Sequence, residues 1–205
     1  MIVIINYGSG NVRALGNIYD RLKIKYCIVN TVTELPKNTS KIILPGVGAF
    51  DETMSMLLNS GFRAALDELV LERKIPVLGI CVGMQILSSG SEEGHLNGLN
   101  WIPGVVRKIP KELLKYKPRL PHLGWNSIEI KKSTPFMNGI NEELGFYFIH
   151  SYYFQCSESE DILTTTRYGL DFASAVNREN IYGTQFHPEK SHSNGITLLK
   201  NFANL

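Results

Sequence analysis

Leu78-Gly79-Ile80-Cys81-Val82-Gly83-Met84-Gln85 is the stretch on which the reading of this chain turns. The apolar run Pro76 to Ile80 has the length of a buried strand, and Val82 to Ser88 reads as a helix. Between them stands Gly-x-Cys-x-Gly, the cysteine form of the nucleophile elbow. Such a turn is tight, and a Cβ at Gly79 or Gly83 would crowd the neighbouring strand or helix. It lifts the sulfur above the carboxyl ends of the strands, where open α/β sheets bind ligands. The free N–H groups at the helix start favour the anionic, nucleophilic form of a sulfur. The plain alternative is a buried structural cysteine between two packing glycines.

Outward from the elbow, strand and helix signals alternate through the first half. Ile2 to Asn6, Tyr26 to Val29 and Lys41 to Leu44 read as strands, residues 11 to 23 as a helix. A helix is predicted from Asp51 to Glu72, with Phe62, Ala65, Leu66, Leu69 and Val70 forming its buried face. Alternation of this kind predicts a parallel sheet with helices on both faces. The second half reads as short strands punctuated by Gly, Pro, Asn and Ser: Val105 to Ile109, Trp125 to Ile130, Phe146 to Ile149, Tyr152 to Gln155, Ile162 to Thr166, Phe172 to Val176 and Ile181 to Gln185. Residues 193 to 203 read as a closing helix. The predicted fold is a single α/β domain over residues 1–205, an open mixed sheet parallel at its centre and antiparallel toward one edge.

A base for the cysteine stands in Gly183-Thr184-Gln185-Phe186-His187-Pro188-Glu189. Pro188 biases His187 toward an extended conformation, in which residues two apart point the same way. Glu189 is then placed to bind one ring nitrogen of His187 and leave the other for Cys81, which supplies nucleophile, base and orienter. His-Pro-Glu on its own reads better as a surface turn, and the elbow reverses that balance. His187, Glu189 and His192 match no standard metal-ligand spacing, so no metal is expected.

Acyl transfer also needs N–H donors for its oxyanion. Pro45-Gly46-Val47-Gly48 follows a strand, and glycines there let backbone N–H groups turn toward a bound carbonyl; a tight strand-to-helix turn is the competing use. The amides of Val47, Gly48 and Val82 are the candidate donors. Gly8-Ser9-Gly10-Asn11 invites a dinucleotide reading, but Arg13 occupies the place of a third glycine, and no phosphate-loop motif occurs. No cofactor is expected.

Composition is that of an ordinary soluble globular protein. The 205 residues are 43% hydrophobic and 20% charged, with net charge +2, so nothing pulls the chain toward nucleic acid or an anionic membrane. The modest lysine cluster from Lys108 to Lys117 reads as solvated surface, or else as a partner-docking edge. The opening MIVIINYGSGN has no basic leader, no run approaches the roughly 20 apolar residues of a membrane span, and Cys27, Cys81 and Cys156 cannot all pair. A cytoplasmic setting is expected.

Together these residues make the chain resemble the class I, or triad, glutamine amidotransferases, and within them the glutaminase subunits of imidazole glycerol phosphate synthase. The resemblance runs through Asn6-Tyr7-Gly8-Ser9-Gly10-Asn11, Leu44 to Phe50, Gly79 to Gln85, Ser91-Glu92-Glu93-Gly94, Pro121-His122-Leu123-Gly124-Trp125-Asn126, Phe148-Ile149-His150-Ser151-Tyr152 and Gln185 to Ser191. It implies that Cys81 attacks the side-chain amide of glutamine, with His187 as base and then acid and Glu189 orienting it. A glutamyl thioester forms, ammonia leaves and water clears the enzyme. Gly48, Gln85, Glu93, His150 and Ser151 match glutamine-holding positions. Glu93 has a direct rationale as the anionic partner of the substrate ammonium, whereas His150 reads equally as a core histidine.

The resemblance further implies a heterodimer with a (β/α)8-barrel cyclase that receives the ammonia and makes imidazole glycerol phosphate in histidine synthesis. Trp125, Tyr147 and Lys190 match positions near that interface, and Asn11 a position coupling the partner's site to the Pro45–Gly48 turn. Trp125 has an equal reading as a strand core residue. Low activity is expected of the chain alone, with the turn misaligned until the partner binds. Val82 departs mildly from the more usual leucine, and His95 to Trp101 follow the pattern loosely. Related subunits that feed surface-sugar synthases share these motifs. A cysteine peptidase and a silent interaction module are the rivals from other classes; Glu93 speaks against the first and the complete triad against the second. Cys27 and Cys156 are expected to be structural.

Overall fold

A computed structural model describes residues 1–114 and 119–205. In chain order the elements are β1 (Ile2–Ile5), α1 (Val12–Leu22), β2 (Tyr26–Val29), β3 (Lys41–Gly46), α2 (Phe50–Asn59), α3 (Phe62–Asp67), β4 (Val77–Cys81), α4 (Val82–Gln85), β5 (Gly90–Ser91) and β6 (Gly104–Lys108). They continue with β7 (His122–Asn126), β8 (Glu129–Ile130), β9 (Phe146–His150), β10 (Tyr152–Cys156), β11 (Ile162–Tyr168), β12 (Leu170–Arg178), β13 (Ile181–Thr184) and α5 (His192–Asn204).

The main sheet runs β2-β1-β3-β4-β13-β12-β10-β6-β5, with β11 beside β12 and β8 beside β11. Its first five strands are parallel. The pairings of β13 with β12, β12 with β10 and β10 with β6 are antiparallel. The expected mixed sheet is therefore the observed one. β1, β3 and β4 are buried along their whole length because helices cover both faces, which is why they read as unbroken apolar runs. β7 and β9 form a separate antiparallel ribbon over the carboxyl ends of the parallel strands.

Three expected elements differ. The helix expected from Asp51 to Glu72 is broken at Ser60-Gly61. Gly61 adopts φ +76°, Ser60 Oγ donates back to the Leu57 carbonyl at 2.6 Å, and the second piece ends in a π turn over Glu68–Glu72. The helix after Cys81 is one turn, not a run to Ser88. The next carbonyls, of Ile86, Leu87 and Ser88, instead accept from the amides of Leu99, Trp101 and Asn100 at 2.7–2.9 Å. The strand expected from Trp125 to Ile130 is two strands in two sheets. Ile128 between them is buried, with its N–H on the Glu142 carbonyl at 3.1 Å. Of the lysine cluster, Lys108 and Lys111 are exposed, and Lys115 and Lys117 lie outside the described residues.

Candidate active site

Cys81 ends β4 with φ +56° and ψ −113°, a region that residues with a Cβ rarely enter. Backbone strain of this kind, about 1–3 kcal/mol, persists only where the surroundings enforce it. Here they do so through glycines. A Cβ on Gly79 would lie 2.4 Å from the Gly83 carbonyl oxygen, and one on Gly83 would lie 2.0 Å from that of Leu44. The elbow packs with no space for a side chain at either position. It presents Cys81, itself buried, at the bottom of a cavity of about 330 Å³. That is the low end of the size range of small-molecule sites.

His187 lines the same cavity, and Glu189 stands behind it. His187 is extended at φ −100° and ψ +98°, but Pro188–Lys190 forms a 3-10 turn. The pair thus meets across a turn and not along an extended segment. Even so, His187 Nδ1 lies 2.8 Å from Glu189 Oε1, both side chains are under 5% exposed, and Nε2 has no hydrogen-bond partner among the described residues. Burial opposes the imidazolium, but Cys81 and Glu189 outweigh it and raise the His187 pKa to about 10. The loop is braced from both sides. His187 N–H donates to the Tyr147 carbonyl at 2.9 Å, and Ser191 Oγ donates to the His187 carbonyl at 2.6 Å.

Val47, Gly48 and Val82 border the cavity, but the first is not aimed into it. The Val47 N–H donates to Ser9 Oγ at 2.9 Å, and Ser9 Oγ–H donates back to the Val47 carbonyl at 3.1 Å. Tyr7 O–H donates to the Pro45 carbonyl. Gly10 packs so closely on the turn that a Cβ there would lie 2.5 Å from Pro45 Cβ. The Gly8-Ser9-Gly10 segment, with its superficial likeness to a dinucleotide loop, is the clamp on this turn.

Gln85, Glu93, His150 and Ser151 line the cavity too. Glu93 Oε2 accepts from the Phe50 N–H at 2.9 Å, which caps α2 and holds the carboxylate at the cavity wall. Asp51 fixes the loop after it by accepting from the amides of His95 and Leu96 at 2.8 and 3.0 Å. A Cβ on Gly94 would meet Asp51 Oδ1 at 2.0 Å. His150 is both cavity lining and core. Burial, with His122 beside it, lowers its pKa to about 3, so it enters the site as a neutral imidazole.

A family model described as "Glutamine amidotransferase class-I" matches residues 3–204. The chain belongs to this family. The amidotransferase is 48% identical over 205 residues to "Imidazole glycerol phosphate synthase subunit HisH" of Leptospira borgpetersenii and of Bdellovibrio bacteriovorus, covering 100% of both chains each time. It is 42% identical to "Imidazole glycerol phosphate synthase subunit HisH 2" of Pseudomonas aeruginosa, again over 100% of both. Among solved structures, "Structure of PurLQS from Thermotoga maritima" superposes with a TM-score of 0.75 at 15% identity, covering 99% of this chain and 97% of the other. "Crystal structure of glutamine amidotransferase" gives 0.71 at 18%, covering 100% of both. At such identities the solved structures speak for the fold.

On the ribbon of the amidotransferase, Trp125 is 43% exposed and stacks on His192 with centroids 5.3 Å apart, so it is not a core residue. Lys190 lines the cavity and its Nζ lies 5.7 Å above the Tyr147 ring. Asn11 stands elsewhere in role: its side chain accepts from the Ala14 N–H at 3.1 Å and caps α1. The contacts to the Pro45–Gly48 turn come from Tyr7, Ser9 and Gly10, earlier in the same segment. Two residues at the site escaped the sequence reading. Ser9 carried no signal beyond its glycines. Gln185, whose Nε2 lies 3.7 Å from Cys81 Sγ, follows β13, which ends at Thr184, and only the fold brings it to the sulfur.

Proposed function

We propose that residues 1–205 act as one glutaminase domain, hydrolysing glutamine to glutamate and ammonia through Cys81, His187 and Glu189. The observation that carries this reading is the strained Cys81 elbow sharing one cavity with His187, whose other nitrogen is held by Glu189. Cys81 attacks the side-chain amide carbonyl of glutamine. His187 accepts the thiol proton at Nε2 and delivers it to the leaving nitrogen; Glu189 keeps that nitrogen aimed at the sulfur. The amides of Gly48, Val82 and a reoriented Val47 stabilise the oxyanion. Water then attacks the thioester, with His187 again as base. The free oxygen of Glu93 takes the substrate ammonium, while Gln85, His150 and Ser151 hold the rest of the amino acid.

The partner is a (β/α)8-barrel cyclase that consumes the ammonia to make imidazole glycerol phosphate in histidine synthesis. The names of relatives identical at 48% over full length, each a subunit of imidazole glycerol phosphate synthase, support a partner subunit in that synthase. Ammonia released to water is protonated and loses its nucleophilic lone pair, so the cavity must open onto the partner. Trp125, Tyr147 and Lys190 form the docking edge, and the setting is cytoplasmic. No described helix is long and apolar enough to cross a membrane. Glutamate release with and without a histidine-pathway cyclase tests the pairing. Sharp activation supports it; Cys81-dependent release indifferent to that cyclase points to another synthase.

A further inference from the structure

From the cavity wall inward, polar side chains and the Tyr152 carbonyl form a single hydrogen-bonded chain that ends on the nucleophile. Its directions are set by one group. The Tyr152 carbonyl can only accept, so His150 Nδ1, 2.7 Å away, carries the proton. Burial holds both neighbouring imidazoles neutral, His150 at about 3 and His122 at about 4. His150 Nε2 is therefore an acceptor, and His122 Nδ1, 2.9 Å from it, is the donor. His122 Nε2 in turn accepts from Asn126 Nδ2 at 3.2 Å. From the other side, Gln85 Nε2 donates to the same Tyr152 carbonyl at 3.2 Å and to Gln185 Oε1 at 3.0 Å. Gln185 Nε2 then points its donor at Cys81 Sγ across 3.7 Å.

Every link is consistent in sense, and the rings are stacked in place. His122 lies between Phe148 and Tyr168, with centroids 4.7 and 3.9 Å away. His150 stands edge-on to Phe172 at 5.0 Å. Gln185 is fully buried, and its acceptor is held by Gln85, so its amide cannot turn over without losing that bond. A buried network in which every member is satisfied fixes geometry that no single bond would.

We propose that Gln185 is a further catalytic residue, whose Nε2–H holds and stabilises the attacking sulfur, and that His122 is a positioning residue acting on it through His150, Tyr152 and Gln85. This rests on Cys81 as the nucleophile. His187 removes the proton from one side of the sulfur and Gln185 donates from another, so the sulfur keeps one orientation as negative charge develops. The strand that carries His122 and Asn126 inward carries Leu123 and Trp125 outward, so the anchor of the relay lies on the opposite face of an exposed strand.

Gln185→Glu tests this by changing one atom. It keeps the acceptor used by Gln85 and the volume, and replaces the donor at the sulfur by an oxygen. Carboxamidomethylation of Cys81 by iodoacetamide, followed by mass spectrometry on the full chain, reads the sulfur without any substrate or partner. Alkylation is expected to slow about tenfold to a hundredfold, the loss that removing a hydrogen bond to a charged group produces. In the glutaminase assay with cyclase, kcat should fall by a like factor with KM for glutamine nearly unchanged. His122→Leu should lower kcat, and His122→Asn, which keeps a donor at the Nδ1 position, should restore most of it. Wild-type alkylation in Gln185→Glu, or equal kcat in the two His122 variants, would overturn the relay. If slowed alkylation is seen while wild type releases no Cys81-dependent glutamate, the relay stands and the glutaminase reading fails.

Discussion

The backbone N–H of Val47 donates to the Ser9 hydroxyl at 2.9 Å, so the turn we propose to stabilise the oxyanion is tied to a loop 38 residues earlier in the chain. A donor engaged in this way does not stabilise a transition state, which accounts for low activity expected of the chain alone. Ser9→Ala removes the acceptor. We expect partner-free glutamate release to rise about tenfold, part of the hundred- to thousand-fold that one oxyanion donor contributes. Steady-state release by the isolated chain checks this, and an unchanged or lower rate would show that Ser9 does not restrain the turn.

The histidines impose opposite pH dependences on stability. His187 is raised to about 10 in the fold, so its contribution is whole below about pH 6.5, its unfolded pKa, and is lost as pH rises through about 10. His122 and His150 are lowered to about 4 and 3, so their neutral burial costs nothing above about pH 6.5 and destabilises as pH falls through those values. Thermal unfolding across pH should give a dome, with His187→Gln flattening the alkaline limb and leaving the acid limb. An alkaline limb indifferent to that substitution would contradict the assignment.

Gly83→Ala should destabilise by about 1–3 kcal/mol or prevent folding, since overpacked sites cost that much when neighbours must shift. The obstacle is the Leu44 backbone oxygen at 2.0 Å, which no rotamer change relieves. Urea unfolding measures it. A variant as stable as wild type would mean that the elbow and β3 separate more readily than their packing suggests.

Trp125→Ala should weaken cyclase binding about tenfold or more, as for an aromatic anchor at an interface, with stability of the free chain nearly unchanged because the ring is 43% exposed. Calorimetric titration and thermal unfolding of one sample separate the two effects. Loss of stability with unaltered affinity would return Trp125 to a structural role.

Much of this was legible because the decisive groups are local in the chain. The elbow and His-Pro-Glu each lie within a few residues, and strands such as Tyr26–Val29 are bounded by their own apolar runs. What escaped depends on distant partners. The helix after Cys81 stops at Gln85 because amides of the 98–102 loop take the carbonyls that follow. Asn126 and Ile128 look like neighbours in one strand, yet Asn126 pairs with Phe146 in the ribbon and Ile128 turns to Glu142. The Ser9–Val47 bond depends on two turns meeting, and no pattern inside either turn announces it.

The attack of Cys81 on a glutamine side chain, as proposed, can be trapped with a diazo-ketone analogue of glutamine. The chain, with and without cyclase, is incubated with the analogue and its adducts located by peptide mass spectrometry. The account predicts a single adduct on Cys81, formed faster with the cyclase, suppressed by excess glutamine and slowed by His187→Asn. No adduct at Cys81, or one indifferent to glutamine, would contradict it.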